Sequence, residues 1–143
     1  MDGIVRLLKR PATLRVVRIA LGIVVAWAAL AKLSDLAAFS SQVHNFRVLP
    51  IWSENLVAMT LPWIELVAAL SLLLGIQARS GALVATGLLA VFTVAVALAV
   101  ARGLDFQCGC FGTADATRVG WGKLLQNAGL LAVGTVAALR ERP

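Results

Sequence analysis

The stretch Gly81–Ala101, GALVATGLLAVFTVAVALAVA, contains no charged residue. A helix crosses the hydrocarbon core of a bilayer, about 30 Å thick, in roughly 20 residues, and this stretch has that length. A lipid-exposed backbone must satisfy its own hydrogen bonds, so the span reads as a helix. The rest of the chain agrees. Of 143 residues, 60% are hydrophobic and 14% charged, whereas soluble domains run closer to half apolar and a quarter charged. A small domain buries a modest share of its surface, so its core cannot hide that excess. The chain therefore reads as an integral membrane protein.

Working outward, three more apolar stretches of similar length lie at about 14–33, 56–76 and 119–139. The expected fold is all-α, a four-transmembrane-helix bundle in one domain. The first stretch is interrupted by Arg15 and Arg18, which leave Ile19–Ala31 as its unbroken apolar run. Leu14, Val16 and Val17 extend it if the arginines snorkel to the interface. A rival reading of the same stretch is a secretory signal: a basic start, a short apolar run and Ala29-Leu30-Ala31 as a cleavage site. An uncut first helix is expected.

Lys and Arg in short loops set orientation. Arg6, Lys9, Arg10, Arg15, Arg18, Arg79, Arg140 and Arg142 fall on one side, and Lys32, Arg47, Arg102, Arg118 and Lys123 on the other, eight against five. Both termini are expected in the cytoplasm, with the chain in the inner or plasma membrane. The net charge of +6 then belongs to this pattern and to anionic lipid. No nucleic-acid motif is present, and there is no tyrosine for stacking.

The outer side carries more sequence than the inner one. Leu36, Phe39, Val43 and Phe46 recur at helical spacing within a segment too polar to span. They predict an amphipathic helix on the outer membrane face, or capping the bundle, between the first two spans. Ser34 is its expected N-cap, with Asp35 in the first turn. Ser53 is the expected cap of the second span. Trp52, Trp63 and Trp121 are expected toward the outer interface as an aromatic belt.

Both cysteines, Cys108 and Cys110, sit in Phe106–Gly112, FQCGCFG. The predicted orientation puts them outside, where disulfides form and persist. A ring closed over one intervening residue departs from relaxed disulfide geometry, and strain makes a disulfide easier to reduce. Entry into the fourth helix near Ala116–Val119 would set a positive helix end close by and favour a thiolate. These features suit an exchangeable dithiol; a static clip or two unlinked thiols is the alternative. Two thiols alone are too few for a zinc site.

Glu65 lies about ten residues into the second predicted span, roughly 15 Å deep by helical rise. An ionisable group at such depth faces a bundle interior or a polar cavity. Gln126 and Asn127 should reach comparable levels, and Lys32 can reach inward from the end of the first span. Pro62 removes a helical donor one turn before Glu65. A cluster of Lys32, Glu65 and Asn127 beneath the cysteine loop is expected, serving proton delivery, quinone contact or interhelical bonding. His44 is expected on the solvated side of the outer helix. No Ser-His-Asp set, phosphate-binding glycine loop or metal-ligand cluster appears, and no cofactor is evident beyond a possible quinone.

Several of these residues also carry a resemblance. Lys32-Leu33, Phe39, Leu49-Pro50, the run Leu61-Pro62-Trp63-Ile64-Glu65-Leu66, the element Cys108-Gly109-Cys110-Phe111-Gly112 and Trp121…Leu124-Leu125-Gln126-Asn127 resemble the MauE branch of the DoxX-like four-helix membrane proteins. Ala28-Ala29 departs from the pattern, where a glycine often precedes the lysine. The resemblance implies disulfide handling outside the membrane with a thioredoxin-like partner of the MauD type. In methylamine utilisation that means maturation of a disulfide-rich periplasmic dehydrogenase subunit. Three roles follow as expectations: a membrane thiol–disulfide component using Cys108 and Cys110, a non-catalytic membrane subunit whose cysteines staple a loop, or a small-solute transporter using Glu65.

Overall fold

The computed structural model describes residues 1–104 and 120–140. Six helices occur among them: α1 (Asp2–Leu8), α2 (Pro11–Ser34), α3 (Leu36–Phe46), α4 (Ile51–Leu74), α5 (Ala78–Ala101) and α6 (Trp121–Arg140). Four of these, α2, α4, α5 and α6, are long and apolar enough to cross a membrane. They run alternately up and down, so the start of α2 and the end of α6 lie on one side. The all-α, four-span architecture expected from the sequence is present, and the chain is a multi-pass membrane protein.

The four spans pack around a ring in the order α2, α4, α5, α6, with α2 and α6 meeting least. Their inward faces follow helical spacing. In α2 the buried residues include Leu21, Val25, Ala28 and Lys32; in α4 they include Glu54, Ala58, Pro62, Glu65, Ala69 and Leu72. Intervals of three and four keep such a set on one stripe. Most inward residues are small, which brings helix axes close where hydrophobic exclusion from water is absent. Gly81 marks one such approach: a Cβ there would lie 2.8 Å from Ser71 Cβ and 3.0 Å from the Ala68 carbonyl oxygen.

Two apolar clusters stack along the bundle. One joins Leu21, Val25, Ala69, Leu72, Ala82, Ala85, Ala137 and Ala138. The other joins Phe46, Val96 and Ala99, with Phe92, Leu104 and Leu124 against them. Position along each helix sets Lys32, Glu65 and Asn127 between the two clusters.

The connections explain several boundaries. Pro50 precedes α4 with extended backbone, and the helix starts at Ile51, five residues earlier than the predicted 56. Proline fixes the backbone angle that leads into a first turn. Ser53 therefore lies inside that turn, donating to the Pro50 carbonyl at 2.9 Å, and is not the cap. Asp35, rather than Ser34, caps α3 by accepting the Ala38 amide at 3.0 Å. Ser34 ends α2, its hydroxyl donating to the Ala31 carbonyl. The α4–α5 turn uses Gly75 at φ 73 and Gln77 at φ 48. The Arg18 guanidinium lies against Gly75, a favourable place for a cation at a helix C-terminus.

α2 supplies core from Leu21 to Lys32, so cleavage after Ala31 would remove one wall of the bundle. The short α1, in the basic lead before the first span, is exposed throughout its described side chains. Trp52 and Trp121 are exposed at the starts of α4 and α6, as an interfacial belt requires. Trp63 also faces outward but sits midway along α4, because that helix begins before the predicted start.

Gly81→Val should destabilise the protein by about 1–3 kcal/mol through overpacking. Gly87, with nothing within 4 Å of a built Cβ, should accept alanine with no loss. Thermal unfolding in detergent checks both; equal tolerance at the two sites would contradict the α4–α5 approach.

Candidate functional site

Lys32, in the last turn of α2, extends its ammonium to both carboxylate oxygens of Glu65, at 2.7 and 2.8 Å. The approach follows from helix geometry. Side chains lean toward the N-terminus of their own helix, and α2 and α4 are antiparallel, so Lys32 leans into the bundle while Glu65 leans out to meet it. Both residues are buried, at 1% and 5% exposure. Glu65 is the fifteenth residue of α4 (65 minus 51, plus one), so it lies deeper from the helix start than predicted.

Two rings complete the surroundings of the ammonium. The Phe92 centroid, from α5, is 4.9 Å from Lys32 Nζ, and that of Phe39, from α3, is 5.5 Å away. A cation over an aromatic face gains about 0.5–2 kcal/mol, more as water is excluded. Phe39 is 2% exposed, and α3 covers the pair from one end of the bundle. The amphipathic helix therefore caps the bundle, the second of its two expected placements.

Asn127, on α6, is buried at 1% exposure. With Glu65 and Phe92 it lines a central cavity of about 40 Å³, a volume sufficient for water. The remaining wall is apolar, from Leu21 and Val25 to Leu88 and Leu89. The expected cluster of Lys32, Glu65 and Asn127 is thus brought to one level. Gln126 is not part of it: it is exposed and accepts from Lys123 at 3.3 Å. Cys108 and Cys110 lie outside the described residues. Among the described residues no group of His, Cys, Asp or Glu is placed to hold a metal ion.

The sequence reading missed two polar features. His44 Nδ1 meets Glu54 Oε2 at 2.8 Å, the imidazole 58% exposed and the carboxylate 8%. His44 is therefore a partner of a buried carboxylate on α4 and not merely a solvated residue. Ser40 Oγ donates to Asn55 Oδ1 at 2.7 Å one turn away, and Arg102 donates to the Arg47 carbonyl at 3.1 Å. α3 is held to α4 and α5 through these bonds. The second missed feature is Lys123, buried at 1% exposure one helical turn before Asn127. The available signal was spacing: Glu54 precedes Glu65 by three turns, and Lys123 and Asn127 are four apart, each pair on one helical face.

Fold and site together define a polytopic helical membrane protein with a charge-paired interior, closed at one end by an amphipathic helix. The chain belongs to the MauE family: the family described as "Methylamine utilisation protein MauE" matches residues 10–140. It is 38% identical over 128 residues to the methylamine utilization protein MauE of Methylorubrum extorquens, covering 89% of this chain and 69% of that one. Against the protein of the same name from Paracoccus denitrificans, identity is 37% over 130 residues, 90% of this chain and 70% of the relative. The Paracoccus versutus counterpart is 38% identical over 114 residues, 79% and 61% of the two chains. No solved structure matches this chain significantly.

Removing one member of a buried ion pair strands the other, at a cost of about 3–5 kcal/mol. Lys32→Met should lose that much stability, and the double variant Lys32→Met/Glu65→Leu should recover most of it. Thermal unfolding of the three proteins in one detergent measures the coupling. Additive losses would contradict a direct pair.

Proposed function

We propose that this protein is a membrane thiol–disulfide component that exchanges disulfides with a thioredoxin-like partner outside the cytoplasm, in the maturation of exported proteins. The relatives' names associate them with methylamine utilisation, and a process of that kind is the setting proposed for this chain. One observation carries the reading. The chain's two cysteines, Cys108 and Cys110, are one residue apart in the connection from α5 to α6. Leu104, just after α5, and Leu124, in the first turn of α6, pack against the cluster of Phe46, Val96 and Ala99 at the end of the bundle nearer Lys32.

The chemistry is an exchange that conserves electrons. A thiolate of the reduced redoxin attacks one sulfur of a Cys108–Cys110 disulfide, forming a mixed disulfide and releasing the other cysteine as thiolate. The redoxin's second thiolate then attacks the mixed disulfide, leaving the redoxin oxidised and the Cys108–Cys110 pair reduced. Two electrons move to the membrane protein, which passes them to a quinone or another carrier. Exchange runs equally in reverse. Cys110 is assigned as the attacking residue in that direction, being the nearer of the two in sequence to the N-terminal end of α6. The Lys32–Glu65 pair with Asn127 supports the bundle below, and Glu65 is the candidate for moving protons during turnover.

Both termini are proposed to face the cytoplasm, so a membrane-impermeant thiol reagent applied to intact cells after mild reduction should label Cys108 and Cys110. Spheroplasts replace cells where an outer membrane is present. Labelling only after the membrane is opened contradicts this orientation.

Single Cys108→Ser and Cys110→Ser variants should behave differently. Removal of the resolving cysteine should accumulate a reducible adduct with a redoxin, visible on non-reducing gels, and removal of the attacking one should not. Both should lose function at normal membrane levels. A stable, fully active double serine variant would leave the cysteines without chemistry, and the chain would then be a non-catalytic membrane subunit.

A further inference from the structure

An apolar cleft of about 400 Å³ lies where α3, the segment after it, α4 and α5 meet. Its rim, including Val48, Val91 and Val94, is exposed, so in a bilayer it opens to lipid. Its volume falls in the range of small-molecule sites, about 300–1,000 Å³. Phe92 and Leu88 line both this cleft and the central cavity that holds Glu65 and Asn127. Phe92 is therefore the partition between a lipid-facing groove and the buried charges.

The ammonium behind that partition has a donor to spare. Lys32 gives hydrogen bonds to the two oxygens of Glu65. An ammonium carries three donors, and the third has only the faces of Phe39 and Phe92 before it among the described residues. A charged N–H given to an oxygen acceptor gains somewhat more than one that faces only a ring. A ligand for this cleft must be lipid-soluble along most of its length and must present an acceptor oxygen on a flat ring that can replace or stack on Phe92. An acyl chain meets the first requirement and not the second.

We infer that the cleft is the binding site of an isoprenoid quinone, its tail along Val57, Leu61 and Val94 and one ring carbonyl accepting from Lys32 Nζ. The choice of a quinone rests in part on the proposed thiol–disulfide role, which needs a two-electron carrier soluble in the bilayer. Binding itself depends only on the cleft and Lys32.

The test uses the full chain in phosphatidylcholine nanodiscs, with decylubiquinone as probe and 1-decanol as a chain lacking the ring. Decylubiquinone should raise the unfolding temperature saturably, and decanol should not. Val94→Trp, at the exposed rim, should fold normally and lose the shift; Ala95→Trp, further in, is a second blocking variant. Lys32→Met/Glu65→Leu should bind at least about tenfold more weakly, the loss of one hydrogen bond to a charged donor. The Cys108→Ser/Cys110→Ser chain should bind like the parent, so loss of cysteine chemistry and loss of the cleft are read separately. Equal shifts with decanol would make the groove an acyl-chain site and overturn the inference. So would undiminished quinone binding in the folded blocking variants, or no saturable shift in the parent.

Discussion

Two opposite charges inside a membrane protein must meet, and in this bundle Lys32 and Glu65 do. An unpaired ion withdrawn from water costs several kcal/mol even after relaxation, and either residue alone would oppose insertion at its position. Their bidentate contact fixes the register of α2 against α4. A shift of α4 by one turn, about 5.4 Å, would break both bonds. The small residues on the same stripes, Ala28 and Ala29 in α2 and Ala68 and Ala69 in α4, let the backbones close around the pair.

The pair also accounts for α3. Lys32 lies two residues before the last residue of α2, where headgroups and water would otherwise reach it. Phe39 descends from α3 over the ammonium, and the polar contacts His44–Glu54 and Ser40–Asn55 hold that helix in place. Their arrangement is a lid with an apolar underside and polar edges. α5 supplies Phe92 from the side, so aromatic groups from two further elements surround a charge pair made by the first two. The two sides of the pair differ: the lid side is bonded shut, and the Phe92 side borders an open apolar groove.

Much of this was legible in the sequence. Uncharged Gly81–Ala101 established the class, and the depth of Glu65 with the position of Lys32 was enough to expect a shared interior site. The amphipathic spacing of Phe39 and Phe46 identified the buried face of α3. What was not legible depended on where helices begin. Ser53 is the cap that the sequence offers for the second span, yet Pro50 allows α4 to start at Ile51, and Glu54 turns inward. His44 then gains a partner that linear reading could not supply. Gln126 and Asn127 looked equivalent side by side in sequence, but adjacent helical residues point about 100° apart, and only Asn127 faces the core. Lys123 groups with the charges of the last connection in sequence, and hydropathy alone does not distinguish an inward lysine from one at an interface.

The central claim is a direct Lys32–Glu65 contact within the bilayer. Solid-state NMR measures it through dipolar recoupling between ¹⁵N-labelled lysine Nζ and ¹³C-labelled glutamate Cδ in lipid-reconstituted protein. With only three lysines and three glutamates in the chain, the spectrum is sparse. The structure predicts strong dephasing of one lysine signal, from oxygens at 2.7 and 2.8 Å, and its disappearance in Glu65→Gln protein that lacks the labelled carboxylate. A lysine spectrum with no recoupling, or recoupling that survives Glu65→Gln, would contradict the account.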